Sequence, residues 1–312
     1  MAEAVDLRVD LGRGLRLRSP LMVASGTFGY GFDSAQVDRS ALGAIVTKGT
    51  TRRPREGNPP GRIAETPSGM LNAIGLQNPG VDRVADEYAP VWSSWDLPVI
   101  VNVAGDSVDE YASVARRLDS VSGIAGLELN ISCPNVVNGL QFGVDPDLAA
   151  QLTASVRRVT RLPLIVKLTP NVSDIVRIGR AVEAAGADVV SAINTYVGMA
   201  IDTRQRRPLL ARGSGGLSGP AIKPLALHAV WELAEELRIP VIGIGGITTA
   251  ADALEFLLAG AAAVQLGTVN YVRPQAAREI HDGITDYIEA NGFRQLKQLP
   301  LRQRAVSVNV RG

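Results

Sequence analysis

A single cysteine, Cys133, stands in this chain, within the run Asn130-Ile131-Ser132-Cys133-Pro134-Asn135. A thiol with an ordinary pKa of about 8.5 is close enough to neutrality to abstract a proton or to attack as a nucleophile. In isolation the commoner role of such a residue is to fill a core as a small, inert hydrophobe. Two lysines, Lys48 and Lys167, stand at the ends of short apolar runs. Buried beside a ligand, a lysine can form a Schiff base or hold developing negative charge; otherwise it snorkels from a rim. Ser25, Asn102, Asn130, Asn194 and Thr195 end or follow similar runs, and each amide among them offers both a donor and an acceptor. Gly245-Gly246 and Gly267-Thr268 expose backbone N–H groups that can converge on a phosphate, helped by a helix N-terminus. The segment from Gly243 to Thr248 lacks the third glycine of a dinucleotide fingerprint, so a phosphorylated ligand is expected and a Rossmann NAD site is not. His228 and His281 fall in helical stretches away from these positions, which removes Ser-His-Asp and His-metal chemistry; no metal site is expected.

These residues need a scaffold that brings them to one face. Eight Val/Ile-rich runs, at 21–24, 44–47, 99–103, 127–131, 164–168, 189–193, 241–244 and 263–266, alternate with amphipathic stretches. The runs lack period-2 alternation, which suits strands buried on both faces of a parallel sheet. The expected class is α/β, a (β/α)₈ TIM barrel formed as one domain over 1–312, preferred to an open doubly wound sheet. Residues 7–17 read as a short N-terminal β-hairpin. Gly-Ala pairs at Gly43, Gly186 and Gly260 enter three strands, each glycine expected at a helix C′ position with positive φ. Long Gly-, Pro-, Thr- and Asn-rich insertions, 49–80 and 194–220, follow strands 2 and 6 at the end where barrels build their active sites. The loop after Cys133 carries Gly139 and Gly143, a candidate lid with glycine hinges.

Composition closes off other classes. Basic and acidic side chains nearly cancel, 32 against 31, giving no reason to expect nucleic acid or an anionic membrane as partner. One cysteine forms no internal disulfide and cannot alone ligate an iron–sulfur cluster. Residues 6–18 lack the apolar core of a signal peptide, and the longest apolar region, 253–269, is interrupted by Glu255 and Gln265. A cytoplasmic protein is expected. The tail from Asn291 carries five basic residues and no acid, and is expected to be solvated or partly disordered.

The motif at 130–135, with Asn-Ala-Ile-Gly-Leu-Gln-Asn at 72–78 and Gly-Gly-Leu-Ser-Gly-Pro-Ala-Ile-Lys-Pro at 215–224, resembles dihydroorotate dehydrogenase. The likeness runs from about Leu7 to Arg273. Cysteine at 133 resembles the class 1 enzymes; the segments 24–31, 65–70 and 198–202 resemble class 1B. The resemblance implies a catalytic subunit that binds one FMN and works in pyrimidine biosynthesis. It also implies a homodimer core within a heterotetramer, whose partner subunit carries FAD and [2Fe–2S] and passes electrons to NAD. FMN would be held by Ser25, Lys48, Gly49, Asn102, Asn130, Lys167, Ile193, Gly219, Gly245, Gly246, Gly267 and Thr268. Dihydroorotate or orotate would meet Lys48, Asn72, Ala73, Ile74, Gly75, Leu76, Asn130, Asn194 and Thr195. Cys133, as thiolate, would take a proton from C5 of dihydroorotate while hydride leaves C6 for the flavin. A class 1A-like enzyme using fumarate without a partner, a Schiff-base barrel aldolase acting on a phosphorylated substrate, and a non-catalytic phosphate-binding module stand as alternatives.

Overall fold

The computed structural model describes residues 5–32, 38–132 and 142–300. Cys133, Gly139 and the tail beyond 300 lie outside the described residues. Eight strands, β1 (Leu21–Val23), β2 (Ala44–Val46), β3 (Val99–Val103), β4 (Gly126–Asn130), β5 (Leu164–Leu168), β6 (Val189–Ala192), β7 (Val241–Ile244) and β8 (Ala263–Leu266), form a closed barrel in sequential order. Each pairs parallel with both neighbours. Helices cover the outer face, so nearly every strand residue is buried and the apolar runs are continuous. Ser107, Asp145, Asp174 and Thr249 cap the helices Val108–Leu118, Pro146–Arg157, Ile175–Ala184 and Ala250–Leu258 by accepting backbone N–H bonds. Each such cap stabilises by about 1 kcal/mol.

The expected hairpin forms, Val9–Asp10 pairing antiparallel with Arg16–Leu17. Its Leu11, Leu15 and Leu17 pack with Met22, Ile100, Ile165 and Ile242 inside the barrel. Arg13 pairs with Asp188, just ahead of β6, at 2.7 Å, so the hairpin plugs the N-terminal end and leaves the opposite end as the mouth.

Three expectations need correction. Gly186 and Gly260 have positive φ (100° and 107°), as a helix C′ glycine should, but Gly43 does not. A Cβ at Gly43 would fall 2.0 Å from the Ser19 carbonyl oxygen, so close backbone approach accounts for this glycine. The tail is docked as well as solvated over 291–300: Leu296 donates its N–H to the Asp6 carbonyl, and Leu296 and Leu299 are buried against the helical shell while most of their neighbours stay exposed. The two insertions are not merely loops. Ile63–Thr66, Gly69–Asn72, Ser214–Ser218 and Tyr196–Met199 form an antiparallel sheet, the cap sheet that roofs the mouth, the last two strands coming from the second insertion. Gly215 and Gly216 permit this, since a Cβ would fall 2.5 Å from the Asn72 carbonyl oxygen in one case and 2.2 Å from Thr195 Oγ1 in the other.

Candidate active site

The mouth is built on β3, β4, β5, β6 and β8, whose inward side chains meet at one buried carboxylate. Glu128, on β4, is fully buried and accepts hydrogen bonds from Asn102 Nδ2 (2.8 Å), Ser191 Oγ (3.0 Å) and Gln265 Nε2 (2.9 Å). Lys167 Nζ lies 4.0 Å from it. A charged residue within an apolar strand reads as an interruption, and Gln265 was visible in the sequence only as a break in an apolar stretch. Their partners come from other strands, so spacing along the chain gives no signal for this cluster.

Lys48 follows β2 and is largely buried. Burial pushes its pKa below the usual lysine range, Arg62 adds to the effect by like-charge repulsion, and no described carboxylate offsets either. A nearby anion would offset both effects. Its amine lies beside the chain after β1, where Ser25 is half-buried: a Cβ on Gly26 would stand 3.4 Å from Lys48 Nζ. Gly49 brings the floor and the cap together, since its Cβ would meet Asn102 Oδ1 at 3.1 Å and Leu76 at 3.4 Å.

At the ends of β4 and β6, Asn194 Nδ2 donates to Asn130 Oδ1 (3.1 Å), and Thr195 N–H donates to Asn194 Oδ1 (2.9 Å). Tyr111 holds the Asn130 carbonyl from behind at 2.5 Å, and the buried Ile193 donates its N–H to Ile244. The loop 72–76 passes over this group. Asn72 Nδ2 donates to the Gly216 carbonyl, Ala73 N–H to Arg62, and the Ile74 carbonyl accepts from Asn58. Gly75 and Leu76 both have positive φ (78° and 54°). That backbone suits glycine and strains leucine. Asn78, a residue whose role went unread in the sequence, holds the bend: its Nδ2 donates to the Leu76 carbonyl (2.7 Å) and Thr51 Oγ1 (2.8 Å), while its Oδ1 accepts from Thr51 and Gly80 N–H.

The glycine positions also converge. A Cβ on Gly246 would lie 2.9 Å from the Gly219 carbonyl oxygen, and one on Gly219 would lie 3.6 Å from the Thr268 methyl group. Thr268 Oγ1 donates to Ser218 Oγ, tying this corner to the cap sheet. Gly245 packs against Ala226, whereas a Cβ on Gly267 would meet only Ala24, at 3.8 Å. Every described residue anticipated for the site therefore lies at this mouth, and Cys133 follows Ser132, whose N–H donates to Asn130 Oδ1. The histidines lie elsewhere, on the helices Lys223–Glu236 and Ala276–Ala290.

A family model described as dihydroorotate dehydrogenase matches residues 9–288. The chain belongs to the dihydroorotate dehydrogenase family. Curated relatives named "Dihydroorotate dehydrogenase B (NAD(+)), catalytic subunit" include those of Geotalea daltonii (54% identical over 94% of this chain and 97% of the relative). The same name is carried by relatives from Desulforamulus reducens (54%, over 95% and 97%) and Porphyromonas gingivalis (52%, over 95% and 97%). Membership of a dihydroorotate dehydrogenase family makes the chain an oxidoreductase and sets aside the aldolase and the non-catalytic module. The family implies a bound flavin, and the mouth fits one. Asn102 Oδ1 and Gln265 Oε1 are buried acceptors without a partner among the described residues, Lys167 Nζ lies 4.0 Å from the carboxylate that both amides bond, and Gly246, Gly219 and Thr268 cluster at one corner. Among the described residues no helix is long and apolar enough to cross a membrane.

Proposed function

We propose that this chain is the FMN-binding catalytic subunit of an NAD-linked, class 1B dihydroorotate dehydrogenase, oxidising dihydroorotate to orotate in pyrimidine biosynthesis. The observation that carries the reading is the floor of the mouth, where Asn102 and Gln265 bury amide oxygens that have no donor among the described residues and Lys167 Nζ stands 4.0 Å from the Glu128 carboxylate. Bound FMN, one per chain, supplies the acceptor for the hydride that leaves C6 of the substrate.

The chain's own residues do the rest. Gly245, Gly246, Gly267 and Thr268 hold the phosphate; Ser25, Gly49, Asn102, Asn130, Ile193 and Gly219 complete the cofactor pocket. Lys167 places positive charge where reduction adds negative charge. Lys48 takes the substrate carboxylate. Asn72, Asn130, Asn194 and Thr195, with the 73–76 backbone, read the ring amides and its carbonyls, for which the paired donor and acceptor of an asparagine are suited. Cys133, as thiolate, takes the proton at C5. A partner subunit carrying FAD and [2Fe–2S] would supply the route for electrons to NAD, in a heterotetramer around a homodimer of this chain in the cytoplasm. Supporting the partner are the words "catalytic subunit" and "NAD(+)" in the relatives' names, and the single cysteine, too few to ligate a cluster.

Anaerobic addition of dihydroorotate should bleach the yellow protein, and NAD⁺ should be reduced only when the co-purifying FAD- and iron-containing fraction is present. Turnover with fumarate by the isolated chain would replace the NAD-linked reading, and a colourless protein that takes up no FMN would remove it.

A further inference from the structure

Glu128 has no part in the chemistry proposed above, yet it sits at the centre of the floor. An ionised carboxylate accepts hydrogen bonds and donates none. Asn102 and Gln265 must therefore turn their NH₂ groups toward it, at 2.8 and 2.9 Å, because a flipped amide would set oxygen against oxygen. Each carbonyl oxygen is thereby forced to the side away from Glu128. Both oxygens are buried with no donor among the described residues, and Asn102 Oδ1 faces Gly49. A buried acceptor left in this condition is costly unless a ligand supplies a donor. The carboxylate also places negative charge 4.0 Å from Lys167, the cation expected beside the reducible ring.

We infer that Glu128 is a positioning residue: it fixes Asn102 and Gln265 with their carbonyl oxygens toward hydrogen-bond donors of the bound flavin, a ring N–H or a ribityl hydroxyl, Gln265 becoming a ligand-facing residue, and it tempers the charge of Lys167. The inference rests on the flavin reading above. It makes the floor selective for a ligand that donates, and it sets how strongly the site favours the reduced cofactor.

The reciprocal exchange of acid and amide tests it. In Glu128→Gln the new NH₂ group faces a donor, and the least disruptive response is for Asn102 to flip and present NH₂ to the ligand. FMN affinity, measured by quenching of flavin fluorescence on titrating apoprotein, should fall at least tenfold while the melting temperature changes little. The surviving complex should favour reduced over oxidised flavin about tenfold more than wild type, a rise of about 30 mV in two-electron potential. Adding Asn102→Asp returns an acid and an amide to the pair, and the E128Q/N102D protein should recover most of the lost affinity, which a packing role would not produce. Wild-type affinity and potential in Glu128→Gln, or a double variant no better than the single, would overturn the inference. Should Glu128→Gln not fold, Gln265→Met, which spares the carboxylate, should still lose affinity several-fold, and unchanged affinity would have the same overturning force. Failure of the wild-type apoprotein to bind FMN would instead bring down the flavin reading, and this inference with it.

Discussion

Two glycines of the proposed phosphate corner differ in what surrounds them, and alanine at each should separate folding from binding. Gly246 has φ 70°. An alanine there costs about 1 kcal/mol for the left-handed backbone alone. Its Cβ would lie 2.8 Å from Lys223 Cβ and 2.9 Å from both Lys223 N and the Gly219 carbonyl oxygen. Relieving those overlaps means moving main chain, an overpacking cost of about 1–3 kcal/mol. Gly246→Ala should therefore be destabilised by roughly 2–4 kcal/mol and melt several degrees lower. Gly267 lies outside the left-handed region, and a Cβ there would meet only Ala24 at an ordinary 3.8 Å. Gly267→Ala should keep its stability to within about 0.5 kcal/mol. Its methyl group would nonetheless stand where the phosphate approaches the backbone. Loss of one charge-assisted hydrogen bond is worth about 1.5–3 kcal/mol, or roughly 10- to 100-fold in FMN affinity. Thermal melts of the apoproteins and FMN titrations give both quantities. Gly267→Ala binding FMN as tightly as wild type would refute the assignment of this corner to the phosphate.

Cys133→Ser should bind FMN normally but reduce it far more slowly near neutral pH, since a serine hydroxyl is much less acidic; equal anaerobic reduction rates would take Cys133 out of the role of base. Lys48 has a folded pKa below its unfolded 10.5, so between the two values the unfolded chain binds more protons and stability should rise with pH. Lys48→Met should flatten that rise, seen as a stability difference from wild type that narrows as pH approaches 10.5, and should abolish orotate binding; parallel pH profiles would contradict the burial argument. Asn78→Ala leaves four hydrogen-bonded groups around the 72–80 bend short of a partner and should cost about 2–4 kcal/mol. Its orotate affinity should fall much more than its FMN affinity, and equal losses would place Asn78 in general folding rather than loop positioning.

The barrel was legible because its strands are buried on both faces. Val99–Val103, Leu164–Leu168, Val241–Ile244 and Ala263–Leu266 have the bounds read from the apolar runs, and the others differ by a residue at one or both ends. Site residues at the strand ends could be located for the same reason, since a polar side chain directly after a continuous apolar run stands out. The cap sheet was not legible. Its strands are short and partly exposed, and Ser214–Ser218 owes its fit to glycines that read as loop. Glu128 was passed over because its meaning lies in partners up to 137 residues away along the chain. Gly43 shows a subtler limit: a Gly-Ala pair before a strand has the same sequence signature whether the glycine serves a positive φ or, as here, a close approach to the Ser19 carbonyl.

The cap sheet has a consequence for how the enzyme comes into being. Its central pairing joins Asn72 to Gly216, 144 residues apart, so the roof closes only after β6 and most of the second insertion have been made. A ribosome releases the chain from its N-terminus. Lys48 and Lys167 thus emerge before the roof strand, whereas Gln265, which completes the floor from β8, emerges after it. Chains cut between Thr195 and Ser214 should retain Lys48 and Lys167 yet have no enclosure over them. Maturation of this pocket is a late event in synthesis, since the roof needs Ser214–Ser218 and the floor and the glycine corner wait for β7 and β8.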